Sequence, residues 1–300
     1  MNILVLGSEG FIGRHIVRYF LHKGFNVFGC DLVELRSADY HYLDLSRKPE
    51  AINELFKNEL FLACINASGN GDVGYSLKYP LNDFESNTYH VARLLDSIRI
   101  HSPDCIYMHI SSAAVYGNPK MLPVSESATI EPLSPYGWHK WMSEIICREY
   151  AQLHKVKAVI LRPFSVYGPG LKKQLFWDVH RKYLSGKDTM ELWGTGQESR
   201  DFIYITDLVR AMDLVLEKGT HSGEVYNIGS GWETTVADAV GELLSCFDRN
   251  IELTFNQQVR VGDPLNWKAD ISLLEKLGFK SEMPFSEGIK QVGTWLNNLS

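Results

Sequence analysis

Ser134-Pro135-Tyr136-Gly137-Trp138-His139-Lys140 sets a phenol and an ammonium four residues apart. Ser134 is a good helix N-cap and Pro135 suits the first helical position, so Tyr136 and Lys140 share one face of the first turns. A phenol ionises near pH 10, and lowering that by three units takes roughly 4 kcal/mol of preference for the phenolate. A nearby cation and the positive end of a helix both work in that direction. The spacing alone is weak, since Tyr19/Lys23, Tyr116/Lys120 and Tyr183/Lys187 share it. Tyr19/Lys23 closes a helix, Tyr116/Lys120 spans a Gly-Asn-Pro loop, and Tyr183/Lys187 is broken by Gly186. Only Tyr136/Lys140 follows a hydroxyl pair, Ser111-Ser112, at the end of an apolar strand-like run. The expected catalytic set is therefore Ser112, Tyr136 and Lys140, with Tyr136 as base.

A second constellation opens the chain. Gly7-Ser8-Glu9-Gly10-Phe11-Ile12-Gly13 follows the strand-like Ile3-Leu4-Val5-Leu6 and leads into Ile16, Val17 and Phe20 at helical spacing. Strand, glycine turn and helix together make a cradle for a pyrophosphate, because glycine permits close approach to a helix N-terminus that favours negative charge. Asp31 ends the next apolar stretch about 20 residues on, where an acid bonds a ribose 2′-OH and repels a 2′-phosphate. The reading is a dinucleotide site preferring NAD to NADP. With NAD bound, its positive nicotinamide joins Lys140 in favouring the phenolate.

These residues need a scaffold. His41–Leu45, Phe61–Ala67, Cys105–Ile110 and Val156–Leu161 read as further strands, and 81–100 and 135–154 as helices, predicting an α/β fold with a Rossmann-type doubly wound parallel sheet. After Gly168-Pro169-Gly170 the regularity breaks. We expect residues 1–167, with return segments at about 204–229, to form the NAD-binding domain, and 168–203 plus 230–300 a smaller C-terminal substrate lobe. The two long helices are also suited to pairing in a homodimer.

Thirty Lys and Arg against 36 Asp and Glu give a formal charge of −6, which argues against a nucleic-acid surface or an anionic membrane. No apolar stretch reaches a membrane span and no signal-peptide pattern opens the chain. Five scattered cysteines read as reduced, implying a cytoplasmic protein. Ten histidines without paired ligand spacing predict no metal.

Ser111-Ser112-Ala113-Ala114-Val115-Tyr116-Gly117 followed by Tyr136 and Lys140 resembles the extended short-chain dehydrogenase/reductases that act on nucleotide sugars. So do the blocks Leu161–Gly170, Arg200–Tyr204, Tyr226–Gly229 and Arg260–Asp263. The nearest activity is that of UDP-glucose 4-epimerase, in which NAD stays bound and a 4-keto sugar forms. The resemblance implies that Ser112 bonds the sugar 4-oxygen and that Lys140 holds the nicotinamide ribose. It implies cofactor contacts at Gly7, Gly10, Phe11, Ile12, Gly13, Asp31, Asp44, Leu45, Asn66 and Ala67, and substrate contacts at Ser165, Arg200, Arg260 and Trp267, the two arginines gripping the diphosphate.

Departures narrow the reaction. Ala113 and Ala114 replace the acidic pair of the related dehydratases, and Ala114 also disfavours the decarboxylases. Ser165 stands where many relatives have asparagine, and Asn66 where many have histidine. Trp267 would crowd a 2-acetamido group. The expected partner is a nucleotide-diphosphate sugar. Two alternatives stay open: an NAD(P)H-dependent 4-ketoreductase and a non-catalytic NAD-binding module.

Overall fold

A computed structural model describes residues 1–35, 39–48, 50–258, 262 and 264–299. Asn2–Leu6 (β1), Asn26–Asp31 (β2), Tyr40–Tyr42 (β3), Ala63–Asn66 (β4), Ile106–Ile110 (β5) and Ala158–Pro163 (β6) join Ser222–Ile228 in one sheet. Its order runs Ser222–Ile228, β6, β5, β4, β1, β2, β3, with every neighbouring pair parallel. This is the doubly wound order, reversing direction between β1 and β4.

Alternate residues of β1 explain its unbroken apolar run. Ile3 and Val5 enter one core layer with Ile16, Phe20, Leu208 and Met212. Leu4 and Leu6 enter the layer on the other face with Ile52, Phe56, Leu94 and Ile98. Helices cover both faces, so neither residue parity can be polar. The helix on the β1–β2 crossover, Phe11–His22 (α1), turns Ile16 and Phe20 inward and leaves Arg14 and Leu21 outside.

Two predicted elements differ from those observed. The third strand is Tyr40–Tyr42, with Asp44 beyond its end, because Asp44 Oδ1 accepts the Ser46 and Arg47 N–H groups and closes a turn. The helix predicted at 81–100 is Pro80–Phe84, then a π-helical turn Glu85–Tyr89, then His90–His101. Such turns insert an extra residue per turn and commonly lie near functional sites.

The later part of the chain builds short pairs: Ser165–Tyr167 with Phe202–Tyr204, and Thr189–Leu192 with Glu252–Phe255. Among the described residues no helix is long and apolar enough to cross a membrane.

Candidate active site

A cleft of about 800 Å³ lies beyond the carboxyl ends of β1, β4, β5 and β6, under the short elements that follow. Its walls include Phe11 and Ile12 from α1, Ala67 after β4, Ser112 after β5, Ser165 after β6, and Tyr136, Lys140, Arg200 and Trp267. Ligand clefts of open α/β sheets occupy this position.

The glycine turn is shaped for a closely approaching group. Gly7 has φ +74°, and a Cβ there would lie 2.6 Å from the Ala67 carbonyl oxygen. A Cβ on Gly13 would lie 2.0 Å from the Gly7 carbonyl oxygen, so α1 sits directly on the turn. The N-cap, Gly10, offers no side chain to the first-turn N–H groups, and Gly10, Phe11 and Ile12 face the cleft. Uncapped N–H groups at the end of a helix dipole fit a diphosphate. Asp31 holds the turn from β2: its Oδ2 accepts the Glu9 N–H at 2.8 Å and its Oδ1 the Leu32 N–H at 2.7 Å. Gly13→Ala is expected to push the turn off α1, costing about 1–3 kcal/mol of stability as an overpacked site. NAD affinity, titrated by quenching of protein fluorescence, should fall at least about tenfold, which is about 1.4 kcal/mol; an unchanged value would place the dinucleotide elsewhere.

Asn66 and its neighbours play a more internal part than their positions suggested. Asn66 is buried, donates through Nδ2 to the Tyr107 hydroxyl at 2.8 Å, and accepts from the Ser68 N–H and hydroxyl at 3.1 and 2.6 Å. Its side chain is engaged in shaping the exit from β4, while Ala67 lines the cleft. Leu45 packs against the core layer under β1, and Asp44 also pairs with Arg47 at 3.3 Å.

Ser134 caps the helix Pro135–His154 as its sequence predicts, its Oγ accepting the Gly137 N–H at 3.2 Å. A Cβ on Gly137 would lie 2.7 Å from the Ala114 carbonyl oxygen, so this helix abuts the 3₁₀ turn Ala113–Tyr116. That contact brings the Ser112 hydroxyl onto the Tyr136 phenol. Lys140 Nζ donates to the Ile110 carbonyl at 3.0 Å and lies 6.0 Å from the Tyr136 ring centre.

Charge behaves differently here from the sequence-based expectation. Burial pushes the Tyr136 phenol up to about 12, opposed by the Ser112 hydrogen bond and reinforced by Asp83. Burial likewise brings Lys140 down to about 8, opposed chiefly by Asp83. For both groups, loss of contact with water favours the uncharged form. Acidification of the phenol therefore requires further positive charge brought in with a ligand.

On the opposite wall, Arg200 Nη1 donates to the Ser199 and Leu265 carbonyls at 2.8 and 3.1 Å, and its guanidinium lies 5.8 Å from the Trp267 ring. Trp267 is buried against Phe164 and donates Nε1–H to the Gly117 carbonyl at 3.0 Å. Ser165 reaches the cleft wall. Arg260 lies outside the described residues.

Below this surface is a buried polar layer that sequence reasoning did not find. Arg162 forks onto Glu144, Nε–Oε1 at 2.9 Å and Nη2–Oε2 at 2.6 Å. Its Nη1 donates to the Tyr116 hydroxyl at 2.8 Å, which donates to Asn227 at 2.6 Å. Ser111 donates to Glu144 at 2.6 Å. Beside it, His139 Nδ1 lies 2.6 Å from Asp83 Oδ2. Among the described residues no cluster of three or more His, Cys, Asp or Glu is placed to hold a metal ion.

Comparison with known proteins agrees with this geometry. The model of the NAD dependent epimerase/dehydratase family matches residues 3–229. A putative UDP-glucose 4-epimerase of Methanocaldococcus jannaschii is 31% identical, covering 99% of this chain and 98% of that protein. UDP-glucose 4-epimerase 1 of Oryza sativa subsp. japonica is 28% identical, covering 98% and 94%. The crystal structure of UDP-glucuronic acid 4-epimerase from Bacillus cereus, in complex with UDP-glucuronic acid and NAD, superposes with a TM-score of 0.90 at 26% identity, covering 100% of both chains. This chain belongs to the NAD-dependent epimerase/dehydratase family, within the extended short-chain dehydrogenase/reductases.

Proposed function

We propose that the chain is an NAD-dependent nucleotide-sugar 4-epimerase. The observation that carries this reading is the meeting of Ser112, Tyr136 and Lys140 in one cleft, between the uncapped start of α1 and Arg200. Gly7, Gly10, Phe11, Ile12 and Gly13 would hold the pyrophosphate of NAD, and Asp31 its adenosine ribose. Bound there, NAD supplies an acceptor and donor for the hydrogen at the sugar C4. Tyr136 takes and returns the 4-OH proton, Ser112 orients that oxygen, and Lys140 contributes charge beneath the phenol. Arg200, with Arg260, grips the diphosphate, since guanidinium forks match phosphate oxygens. Binding energy placed there leaves the sugar free to turn over, as inversion requires.

The purified protein, given no added cofactor, is expected to interconvert C4 isomers of at least one of a panel of UDP-, dTDP-, GDP- and CDP-hexoses and UDP-glucuronate. Turnover only with added NAD(P)H and a 4-keto sugar nucleotide would make it a reductase instead. Silence across the panel with retained NAD binding would favour a binding module.

We also infer a homodimer in the cytoplasm. Trp138, Met142 and Ile145 lie 48, 39 and 48% exposed along one stripe of Pro135–His154, with Tyr89 exposed on the neighbouring helical run. A second copy would cover that stripe, and five unpaired thiols suit a reducing compartment. Trp138→Glu should halve the mass measured by sedimentation. A wild-type protein already sedimenting as a monomer would end this part of the proposal.

A further inference from the structure

Strand β5 carries two polar side chains on one face. Tyr107 and His109 alternate with Met108 and Ile110, which enter the core layer of the opposite face, and both polar residues are buried. Buried polar groups need partners, and here several partners can play only one role, which settles the direction of the rest. The Ser68 N–H can only donate, so the Asn66 atom it meets at 3.1 Å is the amide oxygen. The other end of that amide is then the NH2 group, which donates to the Tyr107 hydroxyl at 2.8 Å. Farther along, the Lys140 carbonyl can only accept, so the single hydroxyl proton of Ser143 lies on that 2.7 Å contact. The proton between Ser143 Oγ and His109 Nε2, 2.8 Å apart, therefore belongs to the ring.

His109 Nδ1 faces the Tyr107 hydroxyl at 3.4 Å, so both ring nitrogens meet hydroxyl groups. Burial holds the ring well below its ordinary value, which keeps it neutral, and Nδ1 is left to accept. Every link then points the same way: Ser68 to Asn66, Asn66 to Tyr107, Tyr107 to His109, His109 to Ser143, and Ser143 to the Lys140 carbonyl. Hydrogen bonds aligned in this manner reinforce one another. One end lies in the cleft wall beside the glycine turn, since Ser68 lines the cleft and a Cβ on Gly7 would lie 2.8 Å from Ser68 Cα. The other end is the turn of helix that carries Lys140. The next residue of β5 completes the grip, because the Ile110 carbonyl accepts from Lys140 Nζ at 3.0 Å. Consecutive residues of one strand thus hold Lys140 near its backbone and at its tip.

We propose that His109 is a positioning residue for Lys140: as a neutral Nε2–H imidazole it anchors the helix turn through Ser143, while Ile110 holds the ammonium. A serine can bond the carbonyl one turn back in any helix. The His109 donor is what ties that turn to the sheet. A slip of the turn would carry the ammonium away from Tyr136, and small misplacements near reacting groups cost much rate. The part Lys140 plays in catalysis rests on the proposed function, whereas its placement does not.

Long-range 1H–15N correlation spectra separate the two neutral histidine tautomers from imidazolium, the His109 signals being assigned by their loss in His109→Gln. At neutral pH the wild-type protein should show the Nε2–H form; the Nδ1–H form or imidazolium overturns the proposal. The placement of Lys140 is read from its own resonance in protein labelled with 13C at lysine Cε, assigned by its loss in Lys140→Arg. His109→Leu and His109→Gln both remove the ring, but glutamine can still donate its amide to Ser143. The Lys140 resonance should therefore move in His109→Leu and lie closer to wild type in His109→Gln. Equal displacement in the two variants, the result of a role confined to packing, overturns the proposal, as does an unmoved resonance in His109→Leu. Should His109→Leu not fold, Ser143→Ala breaks the same link from the helix side, and an unmoved Lys140 resonance there overturns it equally. Turnover gives a further readout. His109→Leu should lower kcat about tenfold or more with KM within about threefold, and should add little to Ser143→Ala, because both break one chain. Fully additive losses overturn the proposal. The expected tautomer and Lys140 shifts without epimerase activity would reject only the proposed function.

Discussion

Tyr136→Phe is expected to reduce turnover by at least about 10²–10⁴-fold, the range for loss of a positioned acid–base group. Nucleotide-sugar affinity should stay within about tenfold, because the lost interaction acts in the transition state. The substitution suits the site physically. Tyr136 is half-buried in the cleft wall and its hydroxyl meets Ser112, so phenylalanine keeps the ring and leaves one short-chain hydroxyl to rebond. Burial that raises the phenol to about 12 also defines the pH behaviour of the free protein. The active base is the phenolate, so its fraction grows with pH, whereas Lys140 loses its charge as pH passes about 8. Because NAD stays bound, kcat/KM reports the NAD-loaded enzyme, and it should climb from acidic pH and flatten or fall above about 8, where Lys140 loses its charge. Single-turnover assays on Tyr136→Phe settle the role: a rate within tenfold of wild type means another base.

What could be read from sequence was whatever depends on near neighbours in the chain. The glycine turn, Asp31 and the Ser134–Lys140 segment each declare themselves within a few residues, because tight turns, caps and helical faces are local. The uninterrupted apolar strands likewise announce a sheet covered on both sides. Pairs distant in sequence were silent. Asp83 and His139 are 56 residues apart, and Arg162 and Glu144 are 18 apart, and no local pattern in the sequence pairs them. The π-helical turn was equally invisible, since apolar spacing over 81–100 does not distinguish one extra residue in a turn from none. Asn66, which the resemblance assigns to the cofactor, commits its side chain to Tyr107 and Ser68, pairings that the sequence does not announce.

Arg162→Met is expected to destabilise the protein by about 3–5 kcal/mol, the cost of leaving the other half of a buried ion pair uncompensated. Four hydrogen bonds end at that guanidinium: two to Glu144, one to Tyr116 and one to the Glu126 carbonyl. Without it, Glu144 keeps the Ser111 hydroxyl and a longer 3.8 Å contact to Arg148, and no water can reach it, because it is fully buried. By the usual scaling for large domains, Tm should fall by roughly 6–20 °C. The double variant Arg162→Met/Glu144→Leu should recover much of that loss, since apolar replacement of a whole buried pair is often neutral. Recovery of stability need not bring recovery of rate. Ser111 is adjacent to Ser112 and anchored by Glu144, and Arg162 lies at the carboxyl end of β6, three residues before Ser165, so the pair holds together the two strand ends that carry the cleft's hydroxyls. The double variant is therefore expected to fold with near-normal Tm but turn over at least about tenfold more slowly, a loss of about 1.4 kcal/mol in transition-state stabilisation. Thermal unfolding by circular dichroism and steady-state assays on the same preparations check both halves. A single variant within 2 °C of wild type, roughly under 1 kcal/mol, would mean the pair is not stabilising the buried layer. A double variant with wild-type rate would free the active-site hydroxyls from any dependence on it.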